Sequence, residues 1–199
     1  MTTLNIAATT NYSTTTLSNI DIFDFDNTAT AAVATFAATQ FNNIQILNTV
    51  LVRGSSGVNR VVVNGTAIDA SLWTFDQWTD GTDTIGLFGN PFFTNVITGS
   101  SRGDQIGGGG ATFANTISGG GGDDEITGGN AGDILNGDAG ADILIGGQGD
   151  DTFTGGAGND TIFGNDSASA QDGGEDVYIA TGATDGQDKI YDEIGRAHV

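Results

Sequence analysis

Asp124, Asp133, Asp142, Asp151 and Asp160 stand nine residues apart, and two positions after each comes one large apolar side chain: Ile126, Leu135, Leu144, Phe153 and Ile162. Upstream, Asn95, Asp104 and Asn115 extend the series with spacings of nine and eleven, and a further nine lead to Asp124. Ile97, Ile106 and Ile117 follow at the same offset. A fixed short period marks an array whose units bury their apolar face only against their neighbours. Each unit reads Gly-Gly-x-Gly-x-Asp-x-U-x, with U a large apolar residue, as in Gly146, Gly147, Gly149, Asp151 and Phe153. Glycines permit the positive φ angles of a tight turn, and x-U-x is long enough for one inward side chain on a brief strand. Two units therefore make one flattened coil of two strands and two turns. Stacked coils make a parallel β-roll, a β-solenoid, and the expected class is all-β.

Because the coil closes after two units, Asp104, Asp124, Asp142 and Asp160 share one edge, while Asn95, Asn115, Asp133 and Asp151 share the other. Neighbouring coils lie about 4.8 Å apart. Bare carboxylates at that spacing repel by roughly 3 kcal/mol at an effective dielectric near 20. One apolar side chain per nine residues is a thin return for the entropy of ordering the whole unit, so a metal-free roll is not expected to form. A divalent cation wedged between turns replaces the repulsion with two attractions. Carboxylate and backbone carbonyl oxygens in an adaptable loop select calcium. The candidate ligands are Asp104, Asp124, Asp133, Asp142, Asp151 and Asp160, with carbonyls from Gly120, Gly122, Gly129, Gly147, Gly149, Gly156 and Gly158. Several Ca2+ ions are expected, more of them toward the carboxy end and on the edge carrying Asp104 to Asp160.

The whole composition agrees. Of 199 residues, 25 are Asp or Glu and 5 are Lys or Arg, a formal charge of -20. Nucleic acid and anionic membrane, which need Lys and Arg to displace counterions, are poor partners for such a chain. With 33 glycines and no cysteine it has little apolar material and neither disulfides nor thiolate metal ligands. No run of about 18 apolar residues exists for a spanning helix. "MTTLNIAATTNYSTTT" lacks the basic and apolar regions of a Sec signal peptide.

The repeats closely resemble those of the RTX family, the hemolysin-type calcium-binding nonapeptide proteins that many bacteria export by type I secretion. The resemblance rests on residues 95 to 164, above all on the five consecutive units from Gly119 to Phe163. Ala131 and Asp138 replace glycines there, Asn115 closes an eleven-residue unit, and Arg102 takes a glycine position beside Asp104, which weakens the upstream sites. The resemblance implies a β-roll that is disordered in a calcium-poor cytosol and folds outside the cell. It also implies a secreted or cell-surface location, the type I secretion machinery as a partner, and a carboxy-terminal, uncleaved secretion signal.

The remaining chain divides into three parts. Residues 1–90 read as a β-rich region, an irregular β-helix-like lead-in continuous with the roll or else a separate small β-sandwich. "NIQILNTVLV" and "RVVVNG" alternate as strands, Trp73, Phe75 and Trp78 supply a hydrophobic plug, and Asp83-Thr84-Ile85 already has the Asp-x-U form. "TATAAVATFAATQF" alone passes for a short helix. A cell-surface or glycan contact is assigned to this half. Residues 91–164 are the roll. Residues 165–193 are degenerate repeats closing it, with Asp176-Val177-Tyr178 and Asp188-Lys189-Ile190 still in pattern. Codons that encode residues 194–199, "IGRAHV", match a common sequencing-adapter read, so that tail is expected to be non-native, with the protein continuing beyond Glu193.

Several motifs point elsewhere and carry little. Gly99, Ser101 and Gly103 spell a nucleophile elbow, yet the pattern predicts no following helix, and His198 lies in the suspect tail. Arg102-Gly103-Asp104 reads as a turn before a ligand. Asp21, Asp24 and Asp26 read as the solvated face of a strand, and Asp123, Glu125 and Asp150 as solvated neighbours of the ligands. The expected function is therefore calcium binding and calcium-induced folding of a scaffold. The alternative is a piece of a secreted enzyme or toxin (lipase, protease or polysaccharide-modifying) whose catalytic part lies outside this sequence; no catalytic residue is assigned.

Overall fold

The computed structural model describes residues 3–6, 9–12, 20–25, 32–37, 46–54, 58–110, 112–164, 176–180 and 186–191. Every strand pair among them is parallel, and no helix occurs among them. Three sheets wrap one core. The longest has nine strands: β2 (Thr10–Asn11), β4 (Ala32–Ala37), β6 (Asn59–Asn64), β9 (Thr84–Phe88), β11 (Asp104–Gly107), β13 (Glu125–Gly129), β15 (Ile143–Gly147), β17 (Thr161–Phe163) and β19 (Lys189–Tyr191). A four-stranded sheet of β1 (Thr3–Asn5), β3 (Ile20–Asp24), β5 (Ile46–Arg53) and β8 (Thr74–Asp76) faces its first half. A six-stranded sheet of β7 (Ala67–Asp69), β10 (Val96–Thr98), β12 (Thr116–Ser118), β14 (Ile134–Ala139), β16 (Thr152–Ala157) and β18 (Val177–Ile179) faces its second half.

The nine-stranded sheet is the common wall. Coils alternate between it and the four-stranded sheet until β6, then β7 and β8 supply a strand to each of the other sheets within one coil, and from β9 onward coils alternate with the six-stranded sheet alone. The amino-terminal part is thus a β-helix-like lead-in joined to the roll without a break. A β-sandwich is ruled out for it, because its pairings are parallel.

Coil length separates the two parts. In the roll, Glu125 pairs Ile143, Ile134 pairs Thr152 and Ile143 pairs Thr161, eighteen residues per coil. In the lead-in, Thr10 pairs Ala34, Ala32 pairs Asn59 and Arg60 pairs Thr84, so coils run 24 to 27 residues on the shared wall. The wider coils hold larger side chains. Phe23, Phe25, Phe36, Trp73 and Trp78 are buried there; Phe23 stacks on Phe36 at 4.6 Å and meets Trp73 edge-on. Trp78 packs against Phe25 and Phe75, so the plug read from "SLWTFDQW" is in place. In the roll the interior is two columns, Ile97, Ile117, Leu135 and Phe153 on one wall and Ile106, Ile126, Leu144 and Ile162 on the other, all at most 3% exposed.

One reading fails. The Ala- and Thr-rich segment that passed for a helix forms β4, with Ala32, Ala34 and Phe36 inward and Val33, Thr35 and Ala37 half-buried. Parallel pairing on both sides fixes the period at two, which overrides the helix propensity of alanine. Asp24 lies on β3 and pairs with Arg53 at 3.0 Å, which also reaches Asp76 on the next coil. Asp26, most of the linking chain between 165 and 185 and residues 194–199 lie outside the described residues.

Candidate metal centre

The two acidic edges form as the spacing requires. On one, the backbone N–H of Asp104 donates to Oδ1 of Asp124 at 2.7 Å, that of Asp124 to Asp142 at 2.8 Å, that of Asp142 to Asp160 at 2.9 Å, and that of Asp160 to Asp188 at 3.1 Å. On the other, Asn95, Asn115, Asp133 and Asp151 each donate to the next residue of the series, ending at Asp176. Each Asp-x-U unit therefore serves two ends: its apolar residue faces the core, and its carboxylate faces the edge and caps the coil above. Asp104, Asp124, Asp133, Asp142, Asp151 and Asp160 are all at most 3% exposed.

That burial sets the electrostatics. Desolvation, the largest cause, pushes the carboxyl of Asp124 up to about 9, against an ordinary value of 3.8, and those of Asp104 and Asp142 up to about 7. Asp133 rises to about 6 for the same reason. Hydrogen bonds from the neighbouring coil pull the other way, and repulsion between stacked carboxylates is the lesser contribution at Asp124 and Asp142. Repulsion between stacked carboxylates, expected from the spacing, thus ranks below removal from water as the cause of the shift. A group with a raised pKa binds a proton, or another cation in its place, as the roll closes.

The second carboxylate oxygen, Oδ2, is the one left without a partner at Asp124, Asp133 and Asp142, where it is buried and receives no hydrogen bond. In each unit it points at the first glycine of its own turn, where the carbonyl of the next coil's glycine also points: Gly119 faces Asp124 Oδ2 and Gly137 O, Gly128 faces Asp133 Oδ2 and Gly146 O, and Gly137 faces Asp142 Oδ2 and Gly155 O. Two acceptors converge with no donor between them. A Cβ on any of these glycines would collide with both. Among the described residues no three acidic or imidazole side chains meet at one point, so further oxygen ligands for an ion have to come from the main chain.

The turns supply that main chain. All seven glycines singled out from the sequence, Gly120, Gly122, Gly129, Gly147, Gly149, Gly156 and Gly158, have positive φ. At Gly147 the reason is visible: φ is 107°, and a side chain would strike the carbonyl of Gly129 on the coil above. Asp138 holds the equivalent glycine position with φ 70°. Its carboxylate accepts from Ser118 Oγ, from Gly120 N at 3.2 Å and from Asn136 Nδ2 at 2.6 Å, which anchors a conformation that only a short polar side chain tolerates. Sequence reasoning passed over the first glycines as site residues. Their exact recurrence at Gly119, Gly128, Gly137, Gly146 and Gly155, with no replacement in five units, is the signal that finds them.

Asp104 stands apart from the others. Its Oδ2 accepts the backbone N–H of Ser100 at 2.6 Å. The residue is buried, so the Arg102-Gly103-Asp104 tripeptide does not present its acid, and Ser101 is followed by strand β11 rather than by the helix of a nucleophile elbow. Asp123, Glu125 and Asp150 are exposed, as expected of solvated neighbours.

A family model of the RTX calcium-binding nonapeptide repeat, in four copies, matches residues 109–144 and 136–168. No curated protein and no solved structure matches the chain. Buried carboxylates one per turn, glycine carbonyls turned toward them, and a parallel roll of eighteen-residue coils are the oxygen-rich setting that such repeats require. That match over its most regular coils supports an RTX-type repeat protein, with repeats of the calcium-binding kind across residues 109–168.

Proposed function

We propose that this chain is a scaffold whose carboxy-terminal half is completed by several calcium ions held between successive coils. Asp124, Asp133, Asp142, Asp151 and Asp160 supply the carboxylates, and Gly120, Gly122, Gly129, Gly147, Gly149, Gly156 and Gly158 shape turns whose carbonyls supply the rest. Asp104 joins them only by giving up its Ser100 bond. The observation that carries the reading is the set of buried Oδ2 atoms at Asp124, Asp133 and Asp142, each facing a carbonyl with no donor between. Calcium there supplies the positive charge that burial otherwise takes from a proton.

Folding follows calcium in this reading. A preformed site does not exist in the unfolded chain, so ion-binding energy is folding energy. Affinities typical of extracellular modules, about 10⁻⁴ to 10⁻³ M, leave the sites empty inside a cell and filled outside. Export in an unfolded form and function at a cell surface fit that arithmetic. Calcium titration of metal-stripped protein, followed by far-UV circular dichroism, tests it: strand signal is expected to grow at sub-millimolar to millimolar calcium. A full strand signal after chelation at neutral pH, unchanged by added calcium, would overturn the reading.

A further inference from the structure

The Asp and Asn units of one edge differ by a single atom, and that atom sits where the aspartate turns lack a donor. In the coil above the aspartate turns, Asn95 Nδ2 faces Gly89 as Asp133 Oδ2 faces Gly128. Its two N–H donors are shared among four oxygens within reach: the carbonyl of Gly108 on the next coil at 2.8 Å, Phe93 O at 2.9 Å, Asn90 O at 3.1 Å and Asn115 Oδ1 at 2.8 Å. Asn115 Nδ2 faces Gly108 in the same way and donates to Asp133 Oδ1 at 3.0 Å, with Gly128 O at 3.4 Å. Four oxygens gathered around one nitrogen make a small oxygen cage with a donor already at its centre.

We infer that the side-chain amides of Asn95 and Asn115 occupy the position that a cation takes in the aspartate turns, so that the coils down to β12 close without metal and template the calcium-dependent coils that follow. The inference rests on the calcium reading above and adds where the requirement begins. Two acids upstream of that point are satisfied by the chain itself. Asp104 Oδ2 accepts from Ser100 N, and Asp83 accepts from the backbone and side chain of Asn59 at 2.9 Å and from Thr79 N at 2.8 Å. Among the described residues, the first buried carboxylate oxygens without a donor belong to Asp124 and Asp133. The boundary falls between Ser118 and Asp124. A preformed edge there removes the nucleation step from calcium-driven folding, because each new coil adds to strands already in register.

The two longer loops have a purpose in this scheme. Asn95 and Asn115 lie six and seven residues after their first glycines, against five in the nonapeptides. In the first, the extra chain brings Asn90 O and Phe93 O round to the amide.

Hydrogen–deuterium exchange of the whole chain, with and without calcium, tests the boundary. Expected in chelator at neutral pH is protection of the strands from β6 to β12, including the N–H groups of Val96, Gly99 and Thr116, with rapid exchange of those of Ile143, Thr152 and Thr161; calcium then protects the latter set. Exchange of β6 to β12 as rapid as that of β13 to β17 in chelator overturns the inference and leaves the calcium reading standing. Protection of β13 to β17 in chelator overturns both. Asn115→Asp converts donor to acceptor at constant shape, and is expected to strip protection from Thr116 and Val96 in chelator and restore it in calcium. Asp133→Asn is the reciprocal change, expected to extend calcium-free protection to Ile134. Should both variants exchange like the parent without calcium, the amides do not stand in for the ion.

Discussion

The lead-in and the roll share one wall of nine strands, yet they bury different material: rings and valines in the one, a single apolar column per wall beside a ladder of acids in the other. In the lead-in the coils wrap a wider interior that holds rings as well as valines: Tyr12 and Phe23 both stack on Phe36, Trp73 meets Phe23 and Trp78 meets Phe25. In the roll each coil offers two apolar side chains, and the remaining interior is acid edge and glycine turn. The wider coils bury more apolar surface each and close by removing it from water. With two apolar side chains, a roll coil must also bury charge, so something has to neutralise that charge. The lesson is that a solenoid can change what it buries midway without changing its backbone pairing.

The sharpest way to break the comparison is to remove two carboxylates from the roll. Asp142→Ala with Asp151→Ala is expected to leave residues 119 to 163 without protease resistance even in millimolar calcium, while the lead-in retains its exchange protection; an ordered double variant would show that the roll coheres without its ions. The converse change is Phe36→Ala, where loss of a fully buried ring costs about 3–5 kcal/mol. Denaturant unfolding is expected to show that loss in the lead-in, with no change in the number of calcium ions taken up by the roll.

A backbone test gives a smaller effect. Gly147→Ala places a side chain against Gly129 O at φ 107° and is expected to cost about 1–3 kcal/mol. Gly110→Ala, with open space around its Cβ, is expected to change thermal unfolding little. Equal effects would mean that the turns reshape freely.

Acidity sharpens the contrast further. The carboxyls of Asp124, Asp133 and Asp142 are raised from 3.8 to about 9, 6 and 7, so the folded metal-free roll binds more protons than the unfolded chain. Their protonation favours folding fully below pH 3.8, and the benefit is lost as pH rises through 6 to 9. Metal-stripped protein is therefore expected to show more strand signal at pH 4.5 than at pH 8.5. Calcium must displace those protons, so its midpoint concentration is expected to fall as pH rises. The smallest effect belongs to Glu125→Gln: an exposed neighbour of the ladder is expected to move stability by under about 0.5 kcal/mol, and calcium uptake not at all.

What was legible in the sequence is what repetition writes down. The period of nine fixed the eighteen-residue coil, the two edges and the two core columns, because in a stack each residue meets its own counterpart one coil away. Where counterparts differ, the pattern misleads. Asp83-Thr84-Ile85 has the Asp-x-U form, but Leu87, not Ile85, pairs with Ile106, so Ile85 sits above Asp104 and the acid ladder stops there. That two-residue offset arises because the coil from Ile85 to Asp104 spans 19 residues while the two acids stand 21 apart, a mismatch that no local motif records. The Ser100 bond that satisfies Asp104 was hidden for a similar reason: it comes from backbone geometry at a position that holds glycine in the next coil. Asn95 and Asn115 were visible as departures from aspartate, but the donor role of their amides became readable only once the surrounding carbonyls had positions.

The even eighteen-residue register has a consequence for how such a molecule changes length. Excising one coil, for example 137–154, joins like to like on both walls and shortens the stack by a single strand spacing, about 4.8 Å. Excising nine residues would send every downstream strand to the opposite wall and exchange the two edges. Changes of length that keep both walls and both edges are thereby quantised in pairs of units, and a reach can be tuned in steps of that one increment while both ends stay as they are.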